Sequence, residues 1–228
     1  MFKTYTHNLV ALVAFFGISI VTNSAMAQNG VYIEQIGNTN TISISQSGNL
    51  NRVGSSGSHS TITGNNNTLT TSQSGDGNII DYTVVGSSNT ISKTVTGDTN
   101  QITFTCGNGT TACTNVTSTM TITGNQNTVT STIRGNTISN TLAMTGNLNT
   151  VTQTITTNNS TSDITILGDS NTFTSSMTGA SAGGGHQLLA AVTGASNTHT
   201  VTQYGTVDTT VNLTTTGNSN TVTISTGR

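Results

Sequence analysis

The side chains able to do acid–base or nucleophilic chemistry are few and scattered. The 228-residue chain has seven acidic residues, five basic ones and four histidines, 5% charged in all, against about 25% in an ordinary soluble domain. Glu34 is the single glutamate, and Asp76, Asp81, Asp98, Asp163, Asp169 and Asp208 stand singly, with none of the acid–Arg/Lys clusters of β-helix lyases and hydrolases. Asp98 and Asp169 fall in G-D-x-N, where Asp is an ordinary turn residue. His186 follows three glycines at 183–185 and reads as a loop histidine, while His199 falls on a row of otherwise apolar positions and reads as core. The Gly-rich stretch lacks the Lys of a phosphate loop, and the G-G-x-G-x-D repeat of calcium-binding solenoids is missing. Catalysis, a cofactor and a metal site are therefore not expected. A net charge of −2 gives no electrostatic footprint for nucleic acid or anionic membrane.

Cys106 and Cys113 are the two cysteines, seven apart across Gly107-Asn108-Gly109-Thr110-Thr111-Ala112. The spacing is not C-x-x-C, and no His or second Cys pair lies near enough for a zinc site. The pair reads as a disulfide on a loop, worth about 2–3 kcal/mol on the loop-entropy argument. Such a bridge suits an exported chain. The first 27 residues have the form of a signal peptide: Lys3, an apolar run over 9–21, and Ala25-Met26-Ala27 as a small-x-small cleavage site. The apolar run is about 13 residues, short of the roughly 20 that span a bilayer. The expected mature chain is 28–228, secreted, with no integral membrane span.

What must position these residues is a repeat. G-x-x-N begins at Gly37, Gly48, Gly64, Gly75, Gly86, Gly97, Gly124, Gly146, Gly168, Gly194 and Gly217, mostly at steps of 11 or its multiples. The longer gaps hold inserts at 54–60, 106–113 and 180–186. Within a unit the residues alternate with period two, as in a strand with one buried face. Apolar Ile42, Leu69, Ile91, Val129, Val151, Phe173 and Val222 stand five after the glycine, flanked by T-x-T or T-x-S pairs. About a quarter of the chain is Thr, and β-branched Thr, Val and Ile favour strands. A unit reads as strand, Gly turn, strand, with the glycines supplying positive φ.

An 11-residue unit cannot bury its face alone, but stacked units can. The expected fold is all-β: a two-arc β-solenoid with coils of about 22 residues, rising about 4.8 Å per coil. Identical positions should then stack. The expected ladder comprises Asn40, Asn67, Asn89, Asn127, Asn149, Asn171, Asn197 and Asn220 with Gln46, Gln73 and Gln203, beside turn glycines Gly37, Gly64, Gly86, Gly124, Gly146, Gly168, Gly194 and Gly217. The stretch from Gly86 to Gly124 is either one coil with a large insert or three arcs that change the phase.

The spacing of Gly, Asn and Gln resembles the curlins, subunits of bacterial curli fibres, whose repeat reads S-x5-G-x2-N-x-A-x3-Q. Ser58, Gly64, Asn67 and Gln73 fall on that template in full, with Leu69 at the Ala position. Gly37, Asn40 and Gln46 match without the Ser, as do Gly194, Asn197 and Gln203, and the segment 200–206 is similar to a nucleator repeat. The resemblance covers most of residues 31–228. It implies a secreted, cross-β fibre subunit of biofilm matrix and adhesion, with a homopolymer, a curlin nucleator and an outer-membrane curli secretion channel as partners. Open solenoid ends and low charge agree with self-assembly. The alternative is a monomer whose T-x-T pairs form a flat binding face, similar to Thr-rich ice-binding solenoids or serving surface adhesion.

Overall fold

The computed structural model describes residues 28–108, 110–179 and 185–228; the segment 1–27, expected to be a signal peptide, and most of the insert at 180–186 lie outside the described residues. Every regular element among the described residues is a β-strand, twenty in all. The local reason is the two-residue alternation. In Thr117–Thr123 each Thr points out and Ser118, Met120 and Ile122 point in, which sets the branched polar side chains on the outer pleat.

All strands named in the two sheets pair in parallel. The chain passes from one sheet to the other and back within each coil, so each coil contributes one arc per sheet. We call the sheet ending in Thr221–Gly227 sheet A and the one from Thr41–Ser47 to Thr210–Thr216 sheet B. Sheet A is nine layers deep and sheet B eight. The coil-to-coil offset is 22 residues between Asn127 and Asn149, and 27 between Asn100 and Asn127. Later it is 26 between Asn171 and Asn197 and 23 between Asn197 and Asn220. The chain is thus a β-solenoid with two arcs per coil.

The offset of 27 marks the five-residue inserts. One, near 54–60, closes on itself through an antiparallel bridge between Ser55 and Ser58. The other is the loop joined by the Cys106–Cys113 disulfide, with Cα atoms 5.6 Å apart. Both leave the coil and return without altering the stacking of the strands on either side.

Between Gly86 and Gly124 the chain makes three arcs, and the phase changes. Gly86 stacks beneath Cys113, not beneath Gly124, whereas Gly97 stacks beneath Gly124. The expected single row of turn glycines is therefore two rows. Gly37, Gly64 and Gly86 line one edge; Gly124, Gly146, Gly168, Gly194 and Gly217 line the other, continuing Gly48, Gly75 and Gly97. The apolar positions divide likewise, Ile42, Leu69 and Ile91 facing in from sheet B and Val129, Val151 and Phe173 from sheet A.

The core between the sheets is one cell wide, so large side chains on one sheet meet smaller or complementary ones on the other. The Tyr82 hydroxyl bonds the Thr71 hydroxyl across the core, and burial pushes its pKa up. Fully buried Lys93 lays its Nζ 3.9 Å from the centre of the Phe104 ring and donates to Ser118 Oγ at 2.8 Å. Gln153 Nε2 donates to Ser162 Oγ at 2.6 Å. His199 is core as expected: fully buried, it stacks on Phe173 at 5.9 Å and its Nε2 lies 2.9 Å from Thr215 Oγ1.

Candidate functional site: turn ladders, open ends and the threonine face

Each G-x-x-N turn spans four residues and has two positive-φ conformations. In the turn 124–127, Gly124 has φ 125° and Gln126 has φ 56°. Glycine fits the first position doubly, because a Cβ there would run into the carbonyl of Gly146 in the next coil. Non-Gly residues take the third in most of these turns, as Thr39, Leu50, Asn66, Ser88, Leu148 and Ser219 do, while Gly77 takes it in 75–78.

The fourth residue makes the ladder. Asn127 Nδ2 donates to Asn100 Oδ1 at 3.0 Å and to the Gly146 carbonyl at 2.8 Å. Its Oδ1 accepts from the Asn149 backbone N–H at 3.0 Å and from Asn149 Nδ2 at 3.1 Å. Both ends of the buried amide are satisfied, which is what makes its burial tolerable. Asn127, Asn149, Asn171, Asn197 and Asn220 belong to a row that begins with Asn51, Asn78 and Asn100. Asn29 heads it, its Oδ1 accepting from Asn51 N–H at 2.9 Å.

Asn40, Asn67 and Asn89 form a separate, shorter row on the opposite edge. It ends at Val116, whose N–H donates to Asn89 Oδ1 at 3.0 Å. From there the equivalent positions are Ile138, Ser160, His186 and Thr209, each carbonyl accepting from the strand start one coil below. His186 therefore is not a loop residue. It is fully buried at a ladder position, with Nδ1 3.0 Å from Thr209 Oγ1 and Nε2 3.2 Å from the Thr178 carbonyl.

The glutamines also separate. Gln46 Nε2 donates to Gln73 Oε1 at 2.8 Å, a two-rung ladder on sheet B that gives way to Val95. Gln203 lies on sheet A beside Met177 and donates to the carbonyls of Gln187 and Thr209, both outside that ladder.

A second, outer ladder runs through the residues that follow the turn glycines, where the sequence marks Asp98 and Asp169 only as ordinary turn residues. The Asn or Asp after most of the turn glycines accepts a backbone N–H from the coil below: Asp76 Oδ1 from Asn49 at 2.7 Å, Asp98 from Asp76 at 2.8 Å, and Asp169 from Asn147 at 2.7 Å. Asn can replace Asp here because only an acceptor oxygen is used, as at Asn125 and Asn147.

Among the described residues, both ends of the stack carry strands paired on one side only. At the N-terminal end these are the sheet A strands Gly30–Val31 and Ile33–Ile36 and the sheet B strand Thr41–Ser47. At the other end they are Thr210–Thr216 and Thr221–Gly227. Half-buried Ile33, Ile42, Ile44, Val222 and Ile224 face these ends from inside.

The outer face of sheet A is regular. Strands from Thr128–Ile133 to Thr221–Gly227 present Thr128/Thr130/Thr132, Thr150/Thr152/Thr154, Thr172/Thr174, Thr198/Thr200/Thr202 and Thr221/Thr223, stacked in register. The outer face of sheet B is broken over the same coils by Ala143, Asp163, Leu167 and Leu189. Among the described residues no three His, Cys, Asp or Glu gather as a metal site, and no helix is long and apolar enough to cross a membrane. Comparison with family models, curated proteins and solved structures finds no match for the chain.

Proposed function

We propose that the chain is a secreted structural subunit that adds head to tail into extracellular fibres of a biofilm or adhesive matrix. The observation that carries this reading is the pair of open ends, each a ready parallel-strand edge with an inward apolar row. Strand edges of this kind template the next strand, and a heterologous contact between two different ends does not close. The Asn rows fix register, since a coil slipped by one residue would leave buried amides unpaired. A nucleator and an outer-membrane channel of curli type belong to this reading as partners. The test is dilution of residues 28–228 from denaturant, followed by amyloid-dye fluorescence and electron microscopy. Unbranched fibres whose growth is accelerated by seeds are the expected result; a stable, dye-negative β-rich monomer would overturn it.

The second reading, a monomer with a flat T-x-T binding face, is favoured by the in-register threonines of sheet A. Their hydroxyls and methyls repeat at about 4.8 Å between coils and about 6.8 Å along a strand. This lattice suits an ordered surface such as ice or a crystalline adhesion substrate. Thermal hysteresis in the monomer, without fibre growth, is its signature.

A further inference from the structure

Sheet A has nine layers and sheet B eight, so the described chain makes seventeen arcs and both begins and ends on sheet A. The strand slot after Thr221–Gly227 lies on the sheet B side. A second copy stacked without rotation would place its first arc one slot too far, over sheet A. Sheet B would then lack a strand at the junction, leaving Val211 and Leu213 facing a gap about 9.6 Å wide, two strand spacings.

We infer that successive subunits are turned by half a turn about the fibre axis, so that sheet A of one copy continues sheet B of the last. This deepens the fibre reading and rests on it. A rotation about the solenoid axis keeps every strand parallel and fills both edges. Thr221–Gly227 then pairs with Thr41–Ser47 of the next copy, placing Val222 on its Ile42 and Ile224 on its Ile44. Thr210–Thr216 pairs with its residues 30–36, placing Val211 on Val31 and Leu213 on Ile33.

The turns support the same docking independently. Gly217-Asn218-Ser219-Asn220 meets Gly37-Asn38-Thr39-Asn40 of the next copy, the same G-N-x-N-T form including Thr221 and Thr41. Their conformations agree: φ 111° and 57° at Gly217 and Ser219, φ 123° and 58° at Gly37 and Thr39. Asn220 bonds Asn197 below. In the rotated stack it gains the upper half of the ladder, donating to the Gly37 carbonyl and accepting from Asn40. Without rotation this turn would meet only the stretch around Asn29. Each subunit then advances the fibre about 41 Å and the structure repeats after about 82 Å, two subunits, at 4.8 Å per coil. The threonine face alternates sides along the fibre.

Cysteine cross-linking in fibres of the full-length chain, exported with its own N-terminal segment, tests the rotation. Ser45 and Ser225 are exposed and become strand neighbours only in the rotated stack; Glu34 and Ser225 do so only in the unrotated one. Neighbouring strands bring Cα atoms within disulfide reach. The S45C/S225C variant is expected to give a ladder of oxidant-dependent oligomers joined between residues 45 and 225, with E34C/S225C at least tenfold weaker. The reverse preference overturns the rotation and leaves the fibre reading intact. Fibres in which neither pair joins overturn the rotation as well. Monomer alone, with no fibres in either variant or in the unsubstituted chain, overturns both.

Discussion

At the scale of single residues, the chain depends on amides with no spare hydrogen-bonding capacity. Asn149 Nδ2 donates to Asn127 Oδ1 and to the Gly168 carbonyl, while Asn149 Oδ1 accepts from Asn171. Asn149→Asp keeps the acceptor, loses both donors and buries a charge against an oxygen. It is expected to destabilise the fold by about 3 kcal/mol at neutral pH. Part of that loss should be recovered in acid, where the carboxyl is protonated and can donate; urea unfolding at two pH values measures both. Asp98→Asn, on the outer ladder where only an acceptor is used, should change stability by less than about 0.5 kcal/mol.

Lys93 is a buried residue whose chemistry departs far from its ordinary value inside the working pH range. Desolvation lowers its pKa from 10.5 to about 7, outweighing the attraction of the Phe104 ring for the charged form. Between those values the unfolded chain holds a proton that the folded chain has released. Stability should therefore rise with pH across this window, by up to about 1.4 kcal/mol per unit, and flatten below pH 7 where both states are protonated. Lys93→Met, which fills similar space without a charge, should remove the slope and raise stability at neutral pH. Denaturant midpoints from pH 6 to 10 provide the check.

At the scale of elements, the inserts show that the coil tolerates extra chain only where it leaves and re-enters at one point. The Cys106–Cys113 bridge closes such an exit, and both cysteines sit fully buried among core positions. Replacing both by Ala is expected to cost about 2.5 kcal/mol from loop entropy. Reduction of the unsubstituted chain should lower the unfolding midpoint comparably, whereas the double variant should be indifferent to reductant. Calorimetry with and without reductant distinguishes the two.

At the scale of the whole molecule, the described stack presents strands at both ends that pair on one side only. On the proposed fibre reading, growth should depend on the last inward-facing row more than on any exposed residue. Ile224→Lys puts a charged chain on the terminal coil, where it can reach solvent in the monomer but not once a second copy is seated. The monomer should keep its β-sheet circular dichroism while seeded elongation slows at least tenfold. Equal elongation rates would place the growing contact elsewhere.

Strands, turns and an 11-residue half-coil were legible in the sequence because alternation and G-x-x-N act within a few residues. The three inserts showed as breaks in the same spacing, and the cysteine pairing followed from two cysteines close in the chain. Which row each Asn joins was not legible, since Asn89 and Asn127 have the same local sequence form. Their assignment to opposite edges depends on whether the chain between them makes one arc or three. That is decided by the strands from Thr90–Thr96 to Thr117–Thr123 finding parallel partners on sheets A and B in turn. The same holds for His186, whose Gly-rich neighbours look like loop until the stack places it between Ser160 and Thr209. Local pattern specified the repeating unit; the count of arcs, and with it the geometry of the two ends, emerged only when the coils were stacked, because register between coils is a long-range hydrogen-bonding property.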